Sequence, residues 1–294
     1  MKQLGRVGIW TVAFDGHPTA DAQVAARELE GLGYRTLWLN EAVGRDPFVM
    51  AGLLLAATSH LTVATGIANI YARDAMTTAA AQKTLAEAYP DRFLLGLGVS
   101  SPALVANLRG HDHSRPLSYM RSYLDAMDRA PFHAVGPERV PPRVLGALGP
   151  KMVQLSADSA DGAHPYLTTP EHTRRSREIL GTEALLAPEQ MVLIESDPVV
   201  ARAIGRSAIS YYLRAPGYLE NLRRLGFADD DWADPKAASD RLVDALVAWG
   251  DVDKIAERVQ QHFDAGADHV AVQVLRGDRQ IPMTEWRKLA PVLL

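Results

Sequence analysis

The sequence predicts an α/β protein folded as a (β/α)8 TIM barrel. Short apolar runs alternate with helical patterns along all 294 residues. Eight such strand–helix units suit one barrel of this length. A third observation is local. Residues 61–101 read LTVATGIANIYARD, then TTAAAQKTLAEAYP, then DRFLLGLGVSS, which is strand, loop, helix and strand. Both strands end in small residues. In a parallel α/β protein the carboxyl ends of the strands bind ligands. Gly66, Gly96 and Gly98 are therefore expected to let a flat ligand approach the backbone.

The predicted strands are Arg6–Thr11, Thr36–Asn40, Leu61–Ala68, Phe93–Val99, Arg143–Leu148, Ala163–Leu167, Met191–Glu195 and His269–Leu275. Most are continuous apolar runs, as expected of strands buried on both faces. Helices are predicted between them. Thr19–Gly31 has a Thr cap and stops at glycine. Pro47–Ser59 opens on proline, which suits a first helical position. Thr168–Leu180 follows the same logic, and Asp251–Ala265 ends at Gly266. Two connections are long, Ser100–Pro142 and Ser196–Asp268, and are read as insertions after strands 4 and 7. The acidic stretch Gly226–Pro235 is expected to be a mobile, solvated loop. No interdomain linker is visible, so residues 1–294 are read as one domain.

Composition narrows the function. Lys+Arg of 31 against Asp+Glu of 35 gives a net charge of −4, which is no footprint for nucleic acid or an anionic membrane. There is no cysteine, which excludes disulfides, thiolate nucleophiles and Cys-based metal sites. No apolar stretch approaches the ~20 residues that span a bilayer. The amino terminus lacks the features of a signal peptide. A cytoplasmic protein is expected.

Several motifs carry candidate chemistry. Gly149-Pro150-Lys151-Met152 follows the fifth strand and opens a helix predicted over Met152–Asp158. A helix start offers free N–H groups and a positive dipole end to a phosphate. His164 and Tyr166 alternate with Pro165, so both face one side of the sixth strand. Asn40-Glu41 ends the second strand; Glu41 is a candidate acid or base, or else an ion-pair partner of Arg45 or Arg73. Gly96-Leu97-Gly98 is half of a dinucleotide fingerprint without its third glycine. His111-Asp112-His113 lacks the spacing of a metal site, and no metal is expected. There is no G-x-S-x-G elbow, and none of the six lysines lies within a strand. Chemistry carried by a cofactor is what remains.

The segments TLWLNEAVGRDPF, TGIANIYARD, RFLLGLGVSS, LGALGPKM and ADGAHPYLTTPEHT, in this order, resemble the bacterial luciferase-like superfamily. More narrowly, the chain resembles the branch that uses coenzyme F-420, an 8-hydroxy-5-deazaflavin. The resemblance implies a barrel with the deazaflavin at the carboxyl ends of the strands. It implies a non-prolyl cis peptide at Gly66-Ile67, with Ala68 beside it, pressing on the ring. It places Asn40 and Glu41 at ring-contacting and catalytic positions, and Val99 and Ser100 at the ring edge. Gly149, Pro150, Lys151 and Met152 fall at the phosphate turn, and His164 and Tyr166 near the cofactor tail or substrate mouth. Arg45, Arg73 and Arg115 are candidates for a multi-carboxylate tail.

One departure stands out. Sugar-phosphate dehydrogenases of the family carry histidine where this chain has Glu41, and a carboxylate near Ser101. The implied activity is hydride transfer between the deazaflavin and a small organic substrate, with Glu41 or His164 managing the proton. The alternatives are a flavin mononucleotide (FMN) monooxygenase and a non-catalytic deazaflavin-binding protein. The resemblance also implies a homodimer. For the pocket, Phe14, Phe48, Tyr71, Tyr119, Tyr123 and Trp232 are candidates either for lining or for core.

Overall fold

The computed structural model describes residues 4–278 and 280–294. Its strands are β1 (Val7–Thr11), β2 (Thr36–Leu39), β3 (Thr62–Thr65), β4 (Ala68–Asn69), β5 (Phe93–Gly98), β6 (Arg143–Leu145), β7 (Gly162–Ala163), β8 (Leu185–Leu186), β9 (Glu189–Ile194), β10 (Val247–Gly250) and β11 (Val270–Val274). All pair in parallel, in the order β10-β9-β11-β1-β2-β3-β5-β6-β7-β8, with β4 beside β5. β8 and β9 are one strand interrupted at Ala187-Pro188. Ala187 N donates to Ala163 O and Glu189 N to Pro165 O on one side, while Ala271 N donates to Pro188 O on the other. β8, at one end of the ladder, therefore continues into β9 near the other, and the sheet closes into a barrel-like ring of eight, with β10 as a further strand paired to β9.

The eight predicted strands are all present, most with shorter bounds; the seventh, predicted from Met191, begins at Glu189. The third is broken: a cis peptide at Gly66-Ile67 separates β3 from β4. The sixth is reduced to two residues, because Pro165 has no N–H to donate. β10 falls within the second long connection, where no strand is predicted. Its run Val247-Ala248-Trp249-Gly250 continues the apolar pattern of the preceding helix, and only pairing with β9 makes it a strand.

The helices are α1 (Thr19–Leu32), α2 (Pro47–Ala57), α3 (Ala75–Ala88), α4 (Pro116–Asp128), α5 (Pro150–Ser159), α6 (Pro170–Leu180), α7 (Pro198–Ile209), α8 (Pro216–Arg224), α9 (Asp240–Leu246), α10 (Val252–Asp264) and α11 (Met283–Leu293). Side-chain caps set several starts. Asp46 accepts from Phe48 N and Val49 N, Thr169 from His172 N, and Asp251 from Lys254 N. α1 runs through Gly31 and stops at Gly33, whose φ of 99° is the left-handed cap that Gly31 was expected to supply. Among the described residues no helix is long and apolar enough to cross a membrane.

Two packed layers follow. Trp10, Trp38, Ala64, Leu94, Val144, Leu185, Ala187 and Ala271 fill the inside of the ring. Alternate residues such as Ile9, Leu37, Val63 and Leu95 face outward into the helix layer. A separate core joins β9 and β10 to the helices after them, through Met191, Leu193, Leu213, Trp232 and Leu246. Trp232 and the neighbouring Asp231 are buried. Asp231 bonds Ser239 and Arg241, so the acidic stretch is pinned to the fold at its centre. That corrects the expectation of a solvated loop.

Candidate active site

The carboxyl ends of the strands bring together nearly all the residues singled out in the sequence. Asn40, Ile67, Val99, Ser100, Gly149 and Tyr166 lie half-buried there, while Gly66, Ala68 and His164 are buried. The glycines do not play the role expected of them. A Cβ on Gly96 would stand 2.0 Å from Thr65 O, and one on Gly98 2.4 Å from the Ile67 side chain. A Cβ on Gly66 would meet Trp10 Nε1 at 2.6 Å and His164 Nε2 at 2.8 Å. The space is taken by the chain itself. Gly98 and Gly146 form the groove in which Ile67 sits, at the cis bond.

Glu41 is held on both oxygens. Arg73 Nη2 donates to Oε1 at 2.7 Å and Nη1 to Oε2 at 2.9 Å, while Asn69 N donates to Oε2 at 2.7 Å. Arg73 also bonds Asp46 at 2.9 Å. This is the ion-pair reading of Glu41, and it joins the end of β2 to the loop after β4. Asn40 Nδ2 donates to Asp15 at 3.2 Å. Of the three arginines expected at the mouth, Arg45 is bonded to Phe14 O and Thr19 and Arg73 to the two carboxylates. Arg115 is exposed, in the loop before α4.

His164 lies inside the ring, stacked on Trp38 with centroids 4.1 Å apart and planes at 9°. Its Nδ1 is 2.6 Å from Ala187 O. A carbonyl only accepts, so Nδ1 carries the proton. Nε2 is buried without a partner. Burial pushes the pKa down to about 4, so the imidazole is neutral. Tyr166 faces the same side, 4.9 Å from the Trp10 ring, as the alternation predicted. Its hydroxyl donates to Gln273 Oε1 at 2.8 Å and lies 2.9 Å from the Tyr212 hydroxyl.

The turn after β6 starts α5 with no side-chain cap: Gly149 stands at the cap and Pro150 at the first position. Lys151 is exposed there. His172 Nε2 lies 2.8 Å from Leu148 O and so holds the turn from α6. Arg224 of α8 approaches closely: a Cβ on Gly149 would be 3.4 Å from its Nη1. Met152 N and Val153 N already donate to Gly149 O, and Arg224 is paired with Glu220 at 3.0 Å, so the turn offers a phosphate the helix start together with Lys151 and Arg224.

Other candidates fall elsewhere. Phe14, Phe48 and Trp232 are core, and Tyr123 is tied to Thr78 and the Arg73 carbonyl. Tyr71 and Tyr119 stack with centroids 4.5 Å apart beside a cavity of about 480 Å³ that also meets Arg115 and Ser118. His113 Nε2 is 3.0 Å from Val99 O, and Asp112 bonds Ser114. Sequence reading missed Glu189, Tyr212, Arg224, Gln273 and His172. Glu189 is fully buried inside the ring, accepting from Leu167 N at 3.0 Å. Burial pushes its pKa up to about 8. Its only local signal is an acid just before the apolar run Met191–Ile194.

Residues 6–269 match the family model of the luciferase-like monooxygenases. The chain belongs to that family. The family match covers the ring from before β1 to the start of β11. A Mycobacterium tuberculosis protein, provisionally assigned as a coenzyme F-420-dependent oxidoreductase, is 25% identical over 92% of this chain and 94% of its own. The 5,10-methylenetetrahydromethanopterin reductase of Archaeoglobus fulgidus is 24% identical, over 82% and 85%. Among solved structures, an F-420-dependent secondary alcohol dehydrogenase superposes with a TM-score of 0.80 at 13% identity, covering 98% of this chain and 99% of the other. An FMN-bound type II Baeyer–Villiger monooxygenase component from Pseudomonas putida does so with 0.68 at 15% identity, covering 98% of both. These likenesses show the luciferase-like fold.

Proposed function

We propose that this protein is a coenzyme F-420-dependent oxidoreductase, a dehydrogenase or reductase on a (β/α)8 barrel with insertions after strands 4 and 7. The observation that carries the reading is the uncapped start of α5 at Gly149, flanked by Lys151 and Arg224, on the same face as Ile67, Val99, Ser100 and Tyr166. The relatives that match along most of the chain support the deazaflavin. Gly149, Lys151, Met152 and Arg224 would hold the phosphate. Ile67, Val99, Ser100 and Tyr166 would hold the ring. The bound coenzyme supplies hydride exchange at a ring carbon. The chain's own part is to orient the substrate, exclude water with the segments after β5 and β9, and manage a proton.

The second reading is an FMN monooxygenase, favoured by the FMN-bound neighbour of the same fold and by a phosphate turn that would serve either cofactor. The experiment is a fluorescence titration of the apo protein with coenzyme F-420, FMN and NADPH at fixed salt. Selective deazaflavin binding supports the first reading, and selective FMN binding the second. Binding with no turnover of any substrate would leave a deazaflavin carrier. No binding at all would overturn the redox reading.

A further inference from the structure

Hydride transfer to a carbon bearing oxygen needs a proton alongside it, and the two groups expected to handle that proton are poorly placed. Both oxygens of Glu41 are taken by Arg73 and Asn69 N. The Nδ1 proton of His164 is committed to Ala187 O, and its bare Nε2 lies against Gly66. The mouth offers phenols instead. Tyr166 spends its single proton on Gln273 Oε1, so the Tyr212 hydroxyl, 2.9 Å away, donates to Tyr166 at rest, and its O–H rotor can turn that proton to a substrate oxygen. Both tyrosines are half-buried; Tyr166 lies against the Trp10 ring and Tyr212 against Tyr166, with ring centroids 5.2 Å apart. Tyr212 arrives on the single turn Tyr212–Arg214, from the long segment after β9. Glu189 stands behind them. Its Oε2 holds Leu167 N, its Oε1 has no partner, and Leu167 has a φ of 55°, which a leucine rarely adopts. Glu189 thereby sets the backbone next to Tyr166.

We propose that the Tyr212 hydroxyl is the catalytic proton-transfer group of this barrel, with Tyr166 and Gln273 orienting it and Glu189 as a positioning residue. The proposal rests on the hydride-transfer reading above and names the class of substrate: a carbonyl compound or the matching alcohol. In the reductive direction a hydride from the reduced deazaflavin forms the C–H bond at the carbonyl carbon. The π pair moves onto oxygen, the Tyr212 O–H breaks to protonate it, and the phenolate recovers a proton from water. Burial pushes the Tyr212 pKa up to about 12, so the phenol keeps its proton at neutral pH. The groups facing it are Tyr166, Glu189 and Tyr211, with Tyr218 packed on its ring. Glu189, uncharged below about pH 8, places no anion beside it there.

The test uses the full chain as wild type, Y212F, E189Q and, as a control, Y211F. The probe is benzaldehyde, and its carbonyl stretch is read by infrared difference spectroscopy without coenzyme. The expected result is a red shift in wild type and Y211F that is absent in Y212F. E189Q is expected to keep the shift, because its side-chain amide oxygen can still accept from Leu167 N. With reduced coenzyme F-420, benzaldehyde turnover should fall at least ~100-fold in Y212F while coenzyme affinity stays the same. A shift that persists in Y212F, or none in wild type, overturns the proposal. The infrared reading needs no coenzyme, so it judges Tyr212 separately from the assignment of the cofactor.

Discussion

The guanidinium of Arg73 binds both oxygens of Glu41, at 2.7 and 2.9 Å, with the carboxyl side chain only 6% exposed. A pair this dry is costly to break on one side, because the remaining charge is left without a partner. E41Q and R73M should each destabilise the fold by about 3 kcal/mol. The joint replacement E41Q/R73M should cost less than the two single costs added. Denaturant unfolding of the three variants is the check. Equal additivity would mean the pair is not coupled.

Stability should depend on pH through groups buried inside the fold. His164 and His269 are held neutral by burial, with pKa values pushed down to about 4, and His262 to about 3. Unfolded histidine titrates near ~6.5. The folded values are depressed, so the contribution is present above ~6.5 and is lost as pH falls toward 4. By pH 5 each histidine should cost about 1–2 kcal/mol. Glu189 has the opposite sign. Its pKa is raised to about 8, so its contribution is present below the ordinary carboxylate value and is lost as pH rises to 8. Denaturant midpoints between pH 4 and 9 should fall on the acid side in wild type. On the alkaline side, E189Q should flatten the decline.

The start of α5 yields a binding prediction. K151A and R224A each remove a cation from the uncapped Gly149 turn. Each should weaken coenzyme F-420 about tenfold, the scale of one charge-assisted hydrogen bond, with little change in melting temperature. Fluorescence titration measures it. Weakening that vanishes in high salt would indicate screened attraction rather than direct contact.

Gly96 and Gly98 should respond differently to alanine. At Gly98 the new methyl meets Cδ1 and Cγ1 of Ile67, a side chain and not backbone, so G98A should cost about 1–3 kcal/mol and weaken coenzyme binding as Ile67 is displaced. At Gly96 it meets the Thr65 carbonyl at 2.0 Å, a backbone atom inside the ring that cannot yield. G96A should therefore be the more damaging, seen as a lower melting temperature or as loss of soluble protein.

The sequence by itself determined the elements and their order. Apolar runs such as Val7–Thr11 and Phe93–Gly98, and starts marked by Asp46-Pro47 and Thr169-Pro170, are written within a few residues of each other. The resemblance placed the Gly66-Ile67 cis bond and the Gly149 turn, both local features. Only the tertiary structure decided the partners. Closing the ring buries Glu189 completely, which its place before an apolar run only hints at. It sets Arg73 on Glu41 across 32 residues and Tyr166 on Gln273 across 107. The same closure turns Val247–Gly250 into a strand and fills the glycine spaces with Thr65, Ile67 and Trp10. Period and capping depend on neighbours in the chain. Burial, ion pairing and a shifted pKa depend on what the fold carries to the same place, and no spacing in the sequence records that.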